Sequence, residues 1–241
     1  MKIQSATALV TGASRGLGRA LVQALLDARV RRVYAAARGE EALPALRAID
    51  PSRVVPIRLD VRDPEQTRAA ARAAADVDLL INNAGSLASY SVLGLSPEEL
   101  EIDLDTNLRG PLHLVRAFLP VLQERPAAAI VNVLSVVSMA SMSALGGYSA
   151  SKAAAWSMTQ SLRAELRSCN VAVHAVFPGP VDTDMVRAMD MPKTAPAEVA
   201  RAVLAGVEAG SEDIAPDPMS RDSYATYSRD PKALERAFRA M

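Results

Sequence analysis

The chain has 241 residues, half of them apolar, and its 27 basic and 27 acidic residues balance to a formal net charge of zero. That length and apolar fraction suit a sizeable core, and the charge balance argues against a nucleic-acid footprint or an anionic membrane surface as partner. The single cysteine, Cys169, excludes an internal disulfide and suits a reducing compartment. It has no companion ligand cluster, so no metal site is expected.

The chain runs directly into a strand-like segment, Ala6–Val10, without the charged and then long apolar pattern of a leader. No apolar run approaches the roughly 20 residues that span a bilayer, so a soluble cytoplasmic protein is the expectation. Gly16–Ala28 reads as a helix, Val33–Ala37 as a second strand, and Glu40–Ala48 as a helix. Val54–Leu59 is a third strand, Pro64–Ala75 an Ala- and Arg-rich helix, and Leu79–Ile81 a fourth strand. Helices follow at Pro97–Asn107 and Gly110–Gln123, then a strand at Ile130–Leu134 and a long helix at Ser149–Ser168. Val171–Phe177 is a sixth strand, Pro196–Ala209 a helix and Asp213–Ala215 a short edge strand. The tail from about 216 to 241 is polar, with one helical pattern at Pro231–Arg239. Strands alternating with helices imply an α/β fold with a parallel sheet covered on both faces. No linker or repeat divides the chain, so residues 1–241 are expected to form a single domain.

Two motifs carry chemistry. The first strand ends in Thr11-Gly12-Ala13-Ser14-Arg15-Gly16-Leu17-Gly18. Glycine lets the backbone turn and approach a ligand closely, and the following helix N-terminus offers free N–H groups and partial positive charge to a pyrophosphate. Tyr148 and Lys152 stand four residues apart, on one face of a helix. A lysine ammonium beside the phenol favours the phenolate and lowers its pKa from about 10, which equips the tyrosine to exchange a proton with an alcohol or carbonyl oxygen. With five tyrosines and four lysines in the chain, the pairing is not a product of abundance.

The glycine spacing, Gly-x-x-x-Gly-x-Gly, differs from the general dinucleotide fingerprint and resembles that of the classical short-chain dehydrogenase/reductase family. Further matches are Asn82-Asn83-Ala84-Gly85 after the fourth strand, Asn107, Ser135, Tyr148 and Lys152 as a catalytic tetrad, and Pro178-Gly179-Pro180-Val181-Asp182-Thr183 after the sixth strand. The resemblance runs from Thr7 to about Ala209 and implies a Rossmann-like doubly wound parallel sheet.

The resemblance also implies roles. Ser135, 13 residues before Tyr148, holds the substrate oxygen as a fixed neutral donor; Ser138, Ser141 and Ser143 are nearby rivals that fit ordinary turn formation. Asn107 kinks its helix and holds a water that leads to Lys152, and Lys152 also bonds the nicotinamide ribose. Gly12, Ser14, Arg15, Gly16, Leu17 and Gly18 surround the pyrophosphate. Asn83, Ala84 and Gly85 pass beside the adenosine ribose, whereas Asn82 fits a structural role equally well. Asp60 and Val61 address the adenine, or Asp60 caps the next helix. Pro178 and Gly179 shape the nicotinamide pocket, and Val181 and Thr183 hold the carboxamide.

A carboxylate after the second strand would bind the ribose 2′-hydroxyl of NAD and repel a 2′-phosphate. This chain has Ala35-Ala36-Ala37-Arg38 there and no acid until Glu40. Arg38 and Arg15 would clamp a 2′-phosphate by charge-assisted bonds, so NADP(H) is preferred over NAD(H), the alternative being two surface arginines. The segment Thr183–Pro196 corresponds to the family's substrate loop. Its Met185, Val186, Met189 and Met191 suit an adaptable apolar surface or packing against the body. Val137, Leu145 and Tyr90 are further pocket candidates. The two histidines, His113 and His174, sit within helix and strand patterns as structural residues.

The expected activity is NADPH-dependent reduction of an apolar aldehyde or ketone by a homodimer or homotetramer. An oxidative alcohol dehydrogenase and an acyl-carrier-protein ketoreductase are alternatives within the family. The latter would use a basic docking patch, for which Arg187 is one candidate. A regulator that senses NADP(H) without turnover, or a scaffold, would not need the tetrad.

Overall fold

A computed structural model describes all 241 residues. Seven strands form one parallel sheet: β1 (Thr7–Thr11), β2 (Arg32–Ala37), β3 (Val54–Arg58), β4 (Leu79–Asn82), β5 (Ala128–Val133), β6 (Val171–Val176) and β7 (Asp213–Ile214), in the order β3-β2-β1-β4-β5-β6-β7. The helices are α1 (Gly16–Asp27), α2 (Leu43–Arg47), α3 (Pro64–Ala73), α4 (Pro97–Leu104), α5 (Gly110–Gln123), α6 (Gly146–Leu166), α7 (Pro196–Ala209), α8 (Pro218–Arg229) and α9 (Pro231–Arg239). None is long and apolar enough to cross a membrane.

Strand residues alternate between two cores, as the pleat requires. Ala8, Val10, Val33, Ala35, Leu79, Ile81, Ala129 and Val131 face α1 and α7, where Leu21, Leu25, Val199, Val203 and Val207 cover them. Leu9, Tyr34, Leu80, Ile130 and Val173 face α3, α5 and α6, against Ala70, Leu114, Phe118, Leu122 and Leu162. Central strands buried on both sides read as unbroken apolar runs, which is why the sequence pattern located them.

The order in which successive strands are added reverses between β1 and β4 while all strands stay parallel, and such a switch point opens a crevice at the carboxyl ends of the strands. Several expected boundaries shift. β5 begins two residues earlier than the apolar run, at Ala128. α6 begins at Gly146, which puts Tyr148 in its first turn. The helix near Glu40–Ala48 is a single 3₁₀ turn leading into short α2. Asp63, not Asp60, caps α3: its side chain accepts from the Glu65 and Gln66 amides.

The tail after Pro216 packs on the body as two helices, of which α8 was not expected. Asp217 caps α8 through the Ser220 amide at 2.8 Å, and its other carboxylate oxygen accepts from the Gly179 amide at 2.8 Å. Leu234 and Phe238 of α9 are buried against Val136, Val137, Met142 and Leu145. Tyr227 meets Trp156 edge-on at 5.4 Å between ring centroids.

Candidate active site

The turn after β1 requires its glycines. Gly12 and Gly16 have positive φ, at +65° and +54°, which a side chain rarely tolerates. A Cβ on Gly18 would lie 2.1 Å from the Gly12 carbonyl oxygen. The turn is fastened to the end of β4. Thr11 Oγ1 accepts from the Asn83 and Ala84 amides at 3.0 Å each, and Asn83 Nδ2 donates to the Thr11 carbonyl at 2.8 Å. Asn83 therefore shapes the turn as well as bordering the crevice. Asn82 points away from it and donates to Asn132 Oδ1 at 2.8 Å inside the sheet, the structural role.

The crevice is a cleft of about 810 Å³ running from the β2 and β3 ends, across the glycine turn, to Ser135 and Tyr148. Ser14, Arg15, Leu17, Arg38, Asp60, Val61, Ala84 and Gly85 line the first part; Lys152, Pro178, Gly179, Val181 and Thr183 line the second. Thr183 packs on the turn, and a Cβ on Gly16 would lie 3.0 Å from its methyl. Val181 is fixed by a bridge to Thr194 across the base of the loop. Dimensions, glycine cradle and lining together fit an extended dinucleotide.

The two arginines separate. Arg15 is largely exposed and lies 3.3 Å from Asp184 of the loop, which also pairs with Arg187. Arg38 lines the cleft and has no ion-pair partner. Arg62, which the sequence reading overlooked, also lines the cleft and binds the Asp60 carboxylate at 2.7 Å. Those hydrogen bonds from Arg62 hold Asp60 below the usual carboxylate range against the opposing effect of burial, with a smaller contribution from the Arg38 charge.

At the far end, Ser135, Tyr148 and Lys152 line the cleft together, and Ser135 Oγ accepts from the Val137 amide at 3.4 Å. Ser138 serves Ser135, its Oγ accepting from the Ser135 amide at 3.2 Å. Ser141 and Ser143 lie on a separate surface hollow beside α9. Lys152 is buried, donates from Nζ to the Val133 carbonyl at 2.8 Å, and sits 5.8 Å from the Tyr148 ring centroid. The Tyr148 phenol departs from the expected lowering of its pKa. Tyr148 is half-buried at the cleft wall; the loss of water around its phenol raises the pKa well above its ordinary value, the neighbouring Ser135 hydroxyl lowers it and the Asp103 charge adds to the rise. Burial also pushes Lys152 down to about 8, against the opposing pull of Asp103. Both shifts have one physical origin, since a low dielectric disfavours the charged form of each group.

Asn107 lies in a π-helical turn, Asp105–Arg109, between α4 and α5, a local feature that recurs at functional sites. Its side chain does not line the cleft. Oδ1 accepts from the Ser86 amide at 3.0 Å, while Nδ2 donates to the Ser86 carbonyl at 3.0 Å and to Ser151 Oγ at 2.9 Å. Asn107 thus ties the segment after β4 to α6, one turn from Tyr148.

Met185, Val186, Met189 and Met191 join Val137 on the apolar wall beside Tyr148, with Leu87 and Met142, which had not been singled out. Leu145 is turned away from the cleft, into the cluster held by Leu234 and Phe238. Tyr90 is exposed on the surface of the 86–96 segment. Neither histidine borders the cleft. His174 is buried with Nδ1 2.6 Å from the Ser211 carbonyl oxygen, and burial lowers its pKa.

Comparison with known proteins agrees with this geometry. A family model described as short chain dehydrogenase matches residues 6–193. The chain is 32% identical over 237 residues to a 3-oxoacyl-[acyl-carrier-protein] reductase, FabG, of Vibrio cholerae, covering 97% of this chain and 93% of that protein. It is 36% identical to the short chain dehydrogenase pigC of Monascus ruber over 75% of this chain, but spans only 64% of that protein's length. Among solved structures, a short chain dehydrogenase of Burkholderia cenocepacia in complex with NADP shares 40% identity, with a TM-score of 0.92 and 99% of both chains covered. A short chain dehydrogenase/reductase of Burkholderia phymatum in complex with NAD shares 26% identity, with a TM-score of 0.87 over 97% of this chain and 96% of that one. With the glycine turn, the Asn107 bulge and the Tyr148–Lys152 helix placed around one cleft, the chain belongs to the classical short-chain dehydrogenase/reductase family.

Proposed function

We infer that the protein is an NADP(H)-dependent carbonyl reductase acting on an apolar aldehyde or ketone. The observation that carries this reading is the convergence of Ser135, Tyr148 and Lys152 at one end of a cleft whose other end is the glycine turn and the unpaired Arg38. The nicotinamide, when bound, supplies the hydride that reaches the carbonyl carbon. Ser135 Oγ donates a hydrogen bond to the substrate oxygen and stabilises the charge that develops there. Tyr148 delivers its proton to that oxygen as general acid. Its raised pKa keeps the phenol protonated at neutral pH, the state that reduction requires. Lys152 stabilises the phenolate left behind, and Asn107 keeps α6 and the 86–89 segment in register during proton return.

Arg38 provides the cation for a 2′-phosphate, with Arg15 as second donor once it leaves Asp184. The NADP complex of the Burkholderia cenocepacia relative supports this preference, and the NAD complex of the more distant one marks the alternative. The methionine-lined wall favours an apolar substrate. A second reading, acyl-carrier-protein ketoreductase, is favoured by the near full-length similarity to FabG of Vibrio cholerae. Arg187 pairs with Asp184, which leaves Lys193 as the loop's one cation without an ion-pair partner and so only a small basic patch for a carrier. We place the enzyme in the cytoplasm as a homodimer or homotetramer assembled through α5 and α6.

A panel of apolar aldehydes, ketones and a 3-oxoacyl thioester, assayed with NADPH, tests the reading. Turnover confined to the carrier-linked thioester would select the second reading. Tyr148→Phe, which removes one hydroxyl, is expected to lower kcat by about 10²–10⁴-fold; a wild-type rate would sink the mechanism. Arg38→Glu is expected to weaken NADPH binding in a fluorescence titration by about tenfold or more while sparing NADH.

A further inference from the structure

Helix α4 is built with inverted polarity. Ile102 is 41% exposed, whereas the next residue, Asp103, is fully buried. A buried carboxylate is unfavourable unless donors surround it, and here they do. Asp103 Oδ1 accepts from Ser86 Oγ and from the Ala88 amide at 3.0 Å; Oδ2 accepts from Ser89 Oγ and from the Ser89 amide at 3.0 Å. All four donors belong to the segment that leaves β4 and passes under the start of α6. The Ser89 carbonyl accepts from the Tyr148 amide at 3.3 Å, and the Tyr90 carbonyl from the Gly147 amide at 3.4 Å. Contact is so close that a Cβ on Gly147 would lie 2.3 Å from Ser89 Oγ. The helix end that carries Tyr148 therefore rests on a strap whose polar groups converge on Asp103.

We propose that Asp103 is a positioning residue, whose carboxylate pins Ser86–Ser89 beneath the first turn of α6 and supplies a fixed negative charge to the Tyr148–Lys152 site. This rests on the reductase reading for its consequence but not for its geometry. Around Lys152, α6 itself contributes the Tyr148 phenol, β5 the neutral Val133 carbonyl, and the π-helical turn the neutral Asn107 amide. Asp105 and Arg109 of that turn pair with each other at the surface. The strap contributes hydroxyls and backbone. The remaining charge is that of Asp103 from α4, and it favours the ammonium form of Lys152 against burial. It also acts on Tyr148, favouring the phenol over the phenolate. Removing the charge while keeping the shape must therefore lower both titrations together.

With four lysines in the chain, the ε-carbon resonance of Lys152 is readily resolved in full-length protein carrying [ε-¹³C]lysine. Asp103→Asn is expected to shift the Lys152 titration down from about 8 by about half a pH unit. It should also speed amide exchange in residues 86–91 and 146–151 by about tenfold. Ser89→Ala keeps the charge and loosens the strap, so it should speed the same exchange and leave Lys152 unmoved. A Lys152 titration in Asp103→Asn that coincides with wild type overturns the electrostatic role. Unchanged exchange in Ser89→Ala overturns the positioning role, and this arm decides that role even where Asp103→Asn does not fold. Neither readout uses turnover, so failure here is separate from failure of the reductase reading, which the Tyr148→Phe rate decides.

Discussion

Lys152 is held against its own preference. Its ammonium is buried with one hydrogen bond to the Val133 carbonyl, and its pKa is pushed down to about 8 by the loss of water around it. A cation whose folded pKa lies below its unfolded value destabilises the fold in full where both states carry the proton, and the penalty shrinks as the pH rises through the range in which only the unfolded chain holds it. That destabilisation is fully present below about 8 and is relieved as the pH rises from there toward the ordinary value of 10.5. Lys152→Met, which fills the space without charge, is expected to raise stability at pH 7 by up to about 3 kcal/mol while reductase activity is lost. Denaturant midpoints measured between pH 7 and 10 check it. Wild type should gain on the variant as the pH rises, and a constant difference would refute the account. In wild type the same titration predicts reduction that is steady near neutrality and falls above pH about 8, as the ammonium that steadies the phenolate is lost.

At the scale of elements, the β1–α1 turn shows why some features are legible from sequence. Its glycines are dictated by backbone alone, because the Gly18 Cα faces the Gly12 carbonyl at a distance no side chain permits. Gly18→Ala is therefore expected to lower NADPH affinity by at least about tenfold and to reduce thermal stability together, since the turn and the cleft are one structure. Fluorescence titration beside a melting curve checks both; normal affinity would mean that the cradle tolerates a methyl group. The buried strands were equally legible, because both of their faces are apolar. Elements whose positions depend on partners were not. Asp103 looked like one of five acids on a polar helix, Glu98, Glu99, Glu101, Asp103 and Asp105, and only the strap beneath α6 distinguishes it. Helix α8 has few apolar residues and is held by the Asp217 cap and by Tyr224 and Tyr227 stacking near Trp156 and Phe177. Arg62 escaped notice because its role depends on where the end of β3 places it, beside Asp60. The expectation for Tyr148 differed for the same reason: spacing showed the lysine beside it, whereas the loss of water around the phenol, which raises its pKa, is a property of the assembled site.

The molecule as a whole backs the Tyr148 end of its cleft with its own C-terminal helix. Val137 borders the cleft on one side and on the other belongs to the cluster into which Leu234 and Phe238 insert. Asp217 holds the Gly179 amide, so the start of α8 also braces the segment after β6. Chain beyond the region of family resemblance thus supports the wall beside Tyr148, although it contributes no residue to the glycine cradle or to the Ser135–Tyr148–Lys152 group. The two ends of the cleft should respond differently when this support is weakened. Phe238 is 3% exposed, and truncating a buried aromatic removes its transfer free energy and leaves a cavity, together about 3 kcal/mol. For a chain of 241 residues, that corresponds to a fall in the melting midpoint of about 6–12 °C. Phe238→Ala should therefore melt earlier and show a raised KM for the carbonyl substrate, because Val137 loses its backing. NADPH affinity, set on the opposite side by the glycine turn and Arg38, should stay within about twofold of wild type. Equal losses in both constants would mean that α9 stabilises the protein without shaping the substrate wall, and an unchanged midpoint would mean that its docking carries no weight at all.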